Sequence, residues 1–232
     1  MSITVLCPTR GNPAALLETY LSFRDTVMDP TTTFIAVIDW DDPDLQGYLS
    51  LCEDAPLQVD IVMKGQSGNM NLALNWAASN LVNRPGVNVV GFVGDDHRFR
   101  TKGWDRVIAQ VLADNGGGFV YANDLLQGEQ LPTQVFISAD IVRALGWMGL
   151  PGARHLYLDN TWKMLGDGAD CLYYLPDVVI EHLHPASGKV QWDDNHRRVN
   201  TSEMYQHDAA VYERWLKEQA DADIKTVQSV LF

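Results

Sequence analysis

Four short apolar runs, each followed by a stretch with helical spacing, limit the fold of this chain more than any other feature. The runs are residues 3–7 (ITVLC), 33–38 (TFIAVI), 59–63 (VDIVM) and 87–93 (VNVVGFV). After the first, Leu16, Leu17, Tyr20, Leu21 and Arg24 recur at helical spacing, and after the second Leu45, Tyr48 and Leu49 do so. Met70, Ala73, Leu74, Ala77 and Leu81 follow the third; Trp104, Val107, Ile108, Val111 and Leu112 follow the fourth. Runs this short and this rich in β-branched residues read as strands, and the intervening periods of 3.6 read as amphipathic helices. The alternation predicts an α/β, Rossmann-like domain: a mostly parallel central sheet flanked by helices, with a ligand crevice at the carboxyl ends of the strands.

The fourth run is apolar almost throughout, as in a strand buried on both faces. Asn12 and Pro13 suit the N-cap and first turn of the first helix. After Gly118 the rhythm changes. Residues 119–122 and 133–137 read as short strands, and Ser138 as the cap of a helix over 139–145. A Gly-rich, aromatic stretch over 146–157 precedes a helix beginning near Asp159, and strands follow at 171–175 and 178–184. Residues 185–200 read as a loop. A last helix starts at Thr201 or Ser202, with Met204, Asp208, Val211, Tyr212 and Trp215 in register. The expectation is one domain over residues 1–232, with its core at about 3–190 and a loop plus C-terminal helix over 191–232.

Composition excludes several classes. Thirty acidic against seventeen basic residues leave a net charge of −13, which argues against extended duplex nucleic-acid binding, since that needs a basic face. No apolar stretch approaches the roughly 20 residues that span a bilayer, so no membrane association is expected. Met1 leads directly into the first strand without a basic leader. The three cysteines are scattered, unlike a disulfide framework or a zinc knuckle. The expected location is cytoplasmic, of a bacterial or virus-encoded kind.

Candidate chemistry gathers where strands end. Gly94-Asp95-Asp96-His97 directly follows the fourth run. Adjacent carboxylates repel, and a hard divalent cation, Mn²⁺ or Mg²⁺, offsets that repulsion while leaving positions open for phosphate oxygens; a polar turn before the next helix is the other reading. Asp39-Trp40-Asp41-Asp42 follows the second run, where a carboxylate can bind a nucleoside and a ring can stack on a base; taken alone, an Asp-Pro turn capping the helix near Asp44 is the better reading. Glu181-His182-Leu183-His184 points both imidazoles to one strand face, and imidazole favours Mn²⁺ over Ca²⁺. Asp159 reads either as a general base or as a helix N-cap. The loop 65–71 lacks both the Walker spacing and the dinucleotide fingerprint, and the chain has no G-x-S-x-G elbow.

Taken in order, these pieces resemble a nucleotide-sugar-dependent glycosyltransferase of the GT-A fold, close to the family 2-like group. Cys7-Pro8-Thr9-Arg10-Gly11-Asn12 resembles that family's P-T-R-x-N strand end, and Asp39, Trp40 and Asp41 its acidic nucleotide-contacting segment. Gly65, Asn69, Asn71 and Asn75 lie in the counterpart of its glycine-and-asparagine loop and helix. Asp95 and Asp96 resemble the D-x-D metal motif, with either aspartate or His97 as the metal contact. His182 and His184 match the late metal-ligating histidine, and Asp159 the catalytic carboxylate.

The resemblance implies transfer of a sugar from a nucleotide-diphosphate donor, a UDP-sugar, to an acceptor hydroxyl with inversion. Asp96, Asp95 and one of His182 and His184 would hold the metal, and Pro8, Thr9, Arg10, Asp39, Trp40, Asp41, Gly65, Asn69, Asn71, Asn75 and Asp95 the donor. Asp159 would deprotonate the acceptor. Loops 125–132 and 147–155 would cover the sugar and the acceptor, which could be a protein, a glycan, a small molecule or a modified nucleobase. A nucleotidyltransferase or a catalytically inactive sugar-binding domain are the competing functions.

Overall fold

The computed structural model describes residues 1–54, 57–62, 68–185, 188–189, 191–192 and 194–231. Strands β1 (Ile3–Thr9), β2 (Thr33–Asp39), β3 (Gln58–Val62) and β4 (Val89–Phe92) correspond to the four apolar runs. Helices α1 (Pro13–Thr26), α2 (Leu45–Asp54) and α3 (Met70–Leu81) connect them. These four strands are parallel and lie in the order β3-β2-β1-β4. The sheet then continues through β7 (Val135–Ser138), β6 (Phe119–Asn123), β8 (Leu172–His182) and β5 (His97–Phe99). β7 is antiparallel to both of its neighbours, and β5 is antiparallel to β8. The remaining strands share one direction, as the apolar runs imply.

Alternation along β1 and β2 builds two cores. Leu6, Ile35 and Val37 face one layer with α3, α5 (Ala139–Leu145) and α6 (Leu158–Gly168). Ile3, Val5, Cys7, Phe34, Ala36 and Ile38 face the other, with α1 and α4 (Trp104–Asp114). Every residue of β1 and β4 is buried, because a parallel sheet covered on both sides leaves no solvated face. In the second layer Phe23, Phe99, Trp104 and Phe136 form a ring cluster with centroids 4.7–5.9 Å apart. Gly91 makes room for it: a Cβ there would lie 2.7 Å from the Phe136 ring on the neighbouring strand. Asn12 caps α1 through its side chain, accepting from the Ala15 N–H at 3.2 Å, with Pro13 at the first turn.

Several boundaries depart from the local pattern. The predicted strands 171–175 and 178–184 are one strand, β8, whose register against β6 shifts between Ala122 and Asn123. Pro176 and Asp177 occupy that irregularity, and the strand resumes beyond it to pair with β5. Ser138 precedes α5 without capping it, and its hydroxyl accepts the Gly118 N–H at 3.1 Å. Residues 194–199 form a short helix, α7 (Asp194–Val199), within the predicted loop. The C-terminal helix is two: α8 (Ser202–Glu218), then α9 (Ala220–Leu231) packed on α5 and α6. Among the described residues, no helix is long and apolar enough to cross a membrane.

Candidate functional site

The carboxyl ends of β1, β2 and β4 open into a cleft of about 560 Å³. Its lining includes Pro8, Thr9, Arg10, Asp39, Asp95, Asp96, Asp159, His182 and His184. These sequence-predicted residues come from five separate chain segments. Gly65 lies outside the described residues.

At the β2 end, the Arg10 guanidinium donates to Asp39 Oδ2 (3.0 Å) and Asp41 Oδ1 (2.9 Å). Asp39 Oδ2 also accepts the Gly68 N–H at 2.8 Å. Its other oxygen, Oδ1, is buried and has no partner among the described residues. Burial pushes the Asp39 carboxyl above its ordinary range, against the opposing pull of Gly68 and Arg10. A buried acceptor left unpaired costs roughly 1–3 kcal/mol, so Oδ1 marks a position that suits an incoming N–H or O–H. Trp40 is half exposed and does not line the cleft. Arg198, from α7, lines the cleft near Gly68, donating to its carbonyl at 3.3 Å.

The asparagines of α3 hold structure together. Asn69 caps the helix, accepting from the Leu72 N–H at 3.0 Å. Asn71 is fully buried and donates to the carbonyls of Leu150 (2.6 Å) and Ala153 (2.9 Å). Asn75 accepts from the N–H groups of Met148 and Gly149 and donates to the Gly149 carbonyl. Their side chains thus fasten the stretch 148–153, much of which is core; of the predicted covering segment 147–155 only His155 lines the cleft.

The middle of the cleft holds Asp96. Its Oδ2 lies 3.0 Å from His182 Nε2 and its Oδ1 3.1 Å from His97 Nδ1. Strand pairing explains the approach: His97 and His182 are direct partners in the β5–β8 ladder, and their rings stack with centroids 4.3 Å apart. One ligand atom from each of Asp96, His97 and His182 lies within 4.8 Å of the others, the only such group of three among the described residues. Gly94 is required here, because a Cβ would sit 2.6 Å from Asp96 Oδ1. His97 Nδ1 also lies 3.0 Å from the Gly94 N–H. One ring nitrogen cannot accept that proton and donate to Asp96 at once.

Electrostatics agree with this arrangement. Burial and the neighbouring His182 depress His97, keeping its ring neutral. His182 resists the same desolvation and is raised, because Asp96, then Asp124 and Asp159, surround it with negative charge. A carboxylate with two imidazoles suits a borderline divalent ion such as Mn²⁺. Asp95 stands apart: its Oδ2 accepts the Thr9 hydroxyl at 2.5 Å, and its carbonyl is held by Thr19 and Arg98. His184 lines the cleft but is not in the group of three.

Asp159 lines the far wall in the first turn of α6. It is not the N-cap; Tyr157 occupies that position, in a left-handed conformation (φ 64°). Desolvation raises the Asp159 carboxyl above the ordinary range, although the Asn160 N–H donates to it at 2.9 Å. A carboxylate raised in this way, beside a cleft, holds a proton more readily than an ordinary one, as a general base must.

Two further buried carboxylates shape the walls, and neither was among the predicted site residues. Asp124 accepts the N–H groups of Leu126 (2.9 Å), Gln127 (2.7 Å) and Gly128 (2.8 Å) and the Thr133 hydroxyl (2.8 Å). Its Oδ2 also lies 4.0 Å from His182 Nδ1, which has no hydrogen-bond partner among the described residues. Asp124 follows a buried strand, the same signal that marks Asp39 and Asp95. Asp208, in α8, accepts the N–H groups of Arg154, His155 and Leu156. Burial alone would raise both carboxyls, but the donors around Asp124, and His207 followed by the three amides around Asp208, outweigh it and hold both below the ordinary range.

A depressed carboxyl stabilises the fold above its unfolded-state value, about 3.9, and loses that contribution as pH falls through the folded value. The melting temperature is therefore expected to drop as pH is lowered from about 5 to 3. Asp124→Asn and Asp208→Asn should each flatten that part of the profile. A wild-type melting temperature unchanged over this range would contradict the assignment.

No protein-family model matches the chain, and no curated protein matches it by sequence. Solved structures do. TarS of S. aureus superposes with a TM-score of 0.60 at 14% identity, over 93% of this chain and 43% of that one. The chain therefore spans less than half of that protein. Mannosyltransferase PcManGT from Pyrobaculum calidifontis, in complex with GDP-Man and Mn²⁺, gives 0.62 at 13% identity over 98% of this chain and 73% of that one. Glucosyl-3-phosphoglycerate synthase from Mycobacterium tuberculosis, in complex with Mn²⁺, UDP and phosphoglyceric acid, gives 0.59 at 12% identity, covering 92% and 78%. At these identities the likeness establishes the fold, and the fold is GT-A.

Proposed function

We propose that this chain is a metal-dependent glycosyltransferase that moves a sugar from a UDP donor to an acceptor hydroxyl with inversion, using Asp159 as general base. One observation carries the reading. A single cleft contains a buried carboxylate oxygen with no partner among the described residues (Asp39 Oδ1), a carboxylate–imidazole group (Asp96, His97, His182) and a carboxylate of raised affinity for protons (Asp159). The GT-A relatives bound to UDP, GDP-Man and Mn²⁺ support the same assignment of the cleft.

Asp96, His97 and His182 would hold a divalent ion, Mn²⁺ better than Mg²⁺ because two of the three ligands are imidazoles. When bound, that ion supplies positive charge against the diphosphate leaving group. Asp124 faces the outer nitrogen of His182 and orients the ring. Asp95 and Thr9 belong on this reading to the donor side. Asp159 takes the acceptor proton as the hydroxyl attacks the anomeric carbon from the face opposite the diphosphate, which inverts its configuration.

Asp39 favours uridine. Its Oδ2 is already occupied by Arg10 and Gly68, so one acceptor remains. The uracil imide offers a single N–H between two carbonyls, whereas guanine offers two adjacent N–H donors to the same edge. Asp39→Ala should weaken UDP binding about 10- to 100-fold, the ~1.5–3 kcal/mol of a hydrogen bond to a charged group, and leave GDP binding unchanged. Calorimetry with UDP and GDP in the presence of Mn²⁺ measures both.

The function is tested by incubating the protein with UDP-glucose, UDP-galactose and UDP-GlcNAc plus Mn²⁺. Release of UDP supports transfer or donor hydrolysis. Release of pyrophosphate from a sugar phosphate and nucleoside triphosphate would instead make it a nucleotidyltransferase, and UDP binding without turnover an inactive binding domain.

A further inference from the structure

Asp208 lies on the buried face of α8, with Val211 and Trp215. It is fully buried. Its Oδ1 accepts the Arg154 N–H at 2.9 Å and lies 2.8 Å from His207 Nδ1. Its Oδ2 accepts the N–H groups of His155 (2.8 Å) and Leu156 (2.7 Å). Three consecutive amides converging on one anion form a nest, and here the anion belongs to the protein itself. One turn along α8, the Tyr212 ring stacks on Tyr157 with centroids 5.3 Å apart.

The segment held in this way runs directly into Asp159. Tyr157, a non-glycine residue in the left-handed region, starts α6 with no side-chain cap. Such a conformation persists only where the surroundings over-determine it. Asp208 on one side of Tyr157 and Tyr212 against its ring supply that constraint. His155, Leu156 and Tyr157 line the cleft together with Asp159, so the same contacts set both the wall and the carboxylate.

We propose that Asp208 is a positioning residue for Asp159: by fixing 154–157 from the C-terminal helix, it sets where the Asp159 carboxylate stands in the cleft without touching substrate. This rests on the reading of Asp159 as the general base. A carboxylate displaced by about 1 Å loses about 100-fold in rate while the rest of the site still binds. Asparagine at 208 keeps the size and one acceptor but turns an NH₂ toward the amides it should accept from.

The experiment compares wild type, Asp208→Asn, Asp208→Glu and Tyr212→Leu as full chains with Mn²⁺ and whichever UDP-sugar wild type turns over. Asp208→Asn is expected to lower kcat about 100-fold with the donor KM and the UDP Kd within twofold of wild type. Tyr212→Leu, which leaves Asp208 in place, should lower kcat in the same direction by a smaller factor, and carries the test if Asp208→Asn does not fold. Asp208→Glu should not restore kcat, since the longer side chain cannot meet all three amides. An unchanged kcat, or a loss of kcat matched by the same fractional loss of UDP-binding sites, would overturn the proposal. Asp159→Asn in the same assay separates the two ideas: if it retains full kcat, the general-base reading fails whatever Asp208 does.

Discussion

Asp96→Ala is expected to abolish Mn²⁺-dependent UDP binding and to lower transfer at least about 1,000-fold, which corresponds to ~4 kcal/mol of leaving-group stabilisation. Asp96 is the member of the group of three that bridges both rings, with Oδ1 toward His97 and Oδ2 toward His182. Removing it leaves two imidazoles and no anionic ligand. The fold should tolerate the change, because Asp96 is partly exposed to the cleft and its backbone carbonyl still accepts the Leu183 N–H at 2.9 Å. The measurement is Mn²⁺ titration by electron paramagnetic resonance or calorimetry, followed by UDP release. Asp95→Ala is the informative control: its carboxylate is engaged with Thr9, so Mn²⁺ affinity should fall less. If Asp95→Ala removes Mn²⁺ binding and Asp96→Ala does not, the assignment is reversed.

Asp159→Asn is expected to lower transfer by a factor of about 10²–10⁴, the usual contribution of a positioned base. UDP and Mn²⁺ binding should stay within twofold. The same variant should melt at or above the wild-type temperature at neutral pH. The sign follows from linkage: the folded state raises this carboxyl above its unfolded value, so the ionised group opposes folding above that value, and asparagine has no such penalty. Loss of activity with retained or increased stability distinguishes a base from a residue that merely holds the structure. A variant with unchanged kcat would remove Asp159 from the mechanism.

The strand-end carboxylates were legible because their cause is local. An apolar run of five to seven residues flanked by turn residues reads as a buried strand, and whatever follows it emerges at the sheet edge, which places Asp39, Asp95 and Asp96 there while leaving a polar turn as the other reading of each. Asp124 obeys the same rule after β6. Asp208 was visible as a carboxylate among Val211, Tyr212 and Trp215 on one helical face, a position where an unpaired charge is too costly to keep. The pattern could mark it as unusual but could not name the three amides, which lie more than fifty residues earlier. The family resemblance assigns Asn71 and Asn75 to the donor; in the structure their side chains pair with carbonyls and amides of 148–153, an arrangement set by how α3 packs against that stretch.

Local patterning therefore decided the alternation of strands and helices, the mostly parallel character of the sheet and the edge at which the acidic groups emerge, because a period of 2 or 3.6 and a burial requirement are properties of neighbouring residues. Tertiary structure decided which groups meet. Asp96 reaches His182, 86 residues away, only because β5 pairs with β8 in a register that sets His97 opposite His182, and because β8 stays continuous through its irregularity at Pro176 and Asp177. Shifting that register by one residue would turn both histidines to the other face. A ladder register is fixed by the packing of both strands at once, and so it is written in no single stretch of the chain.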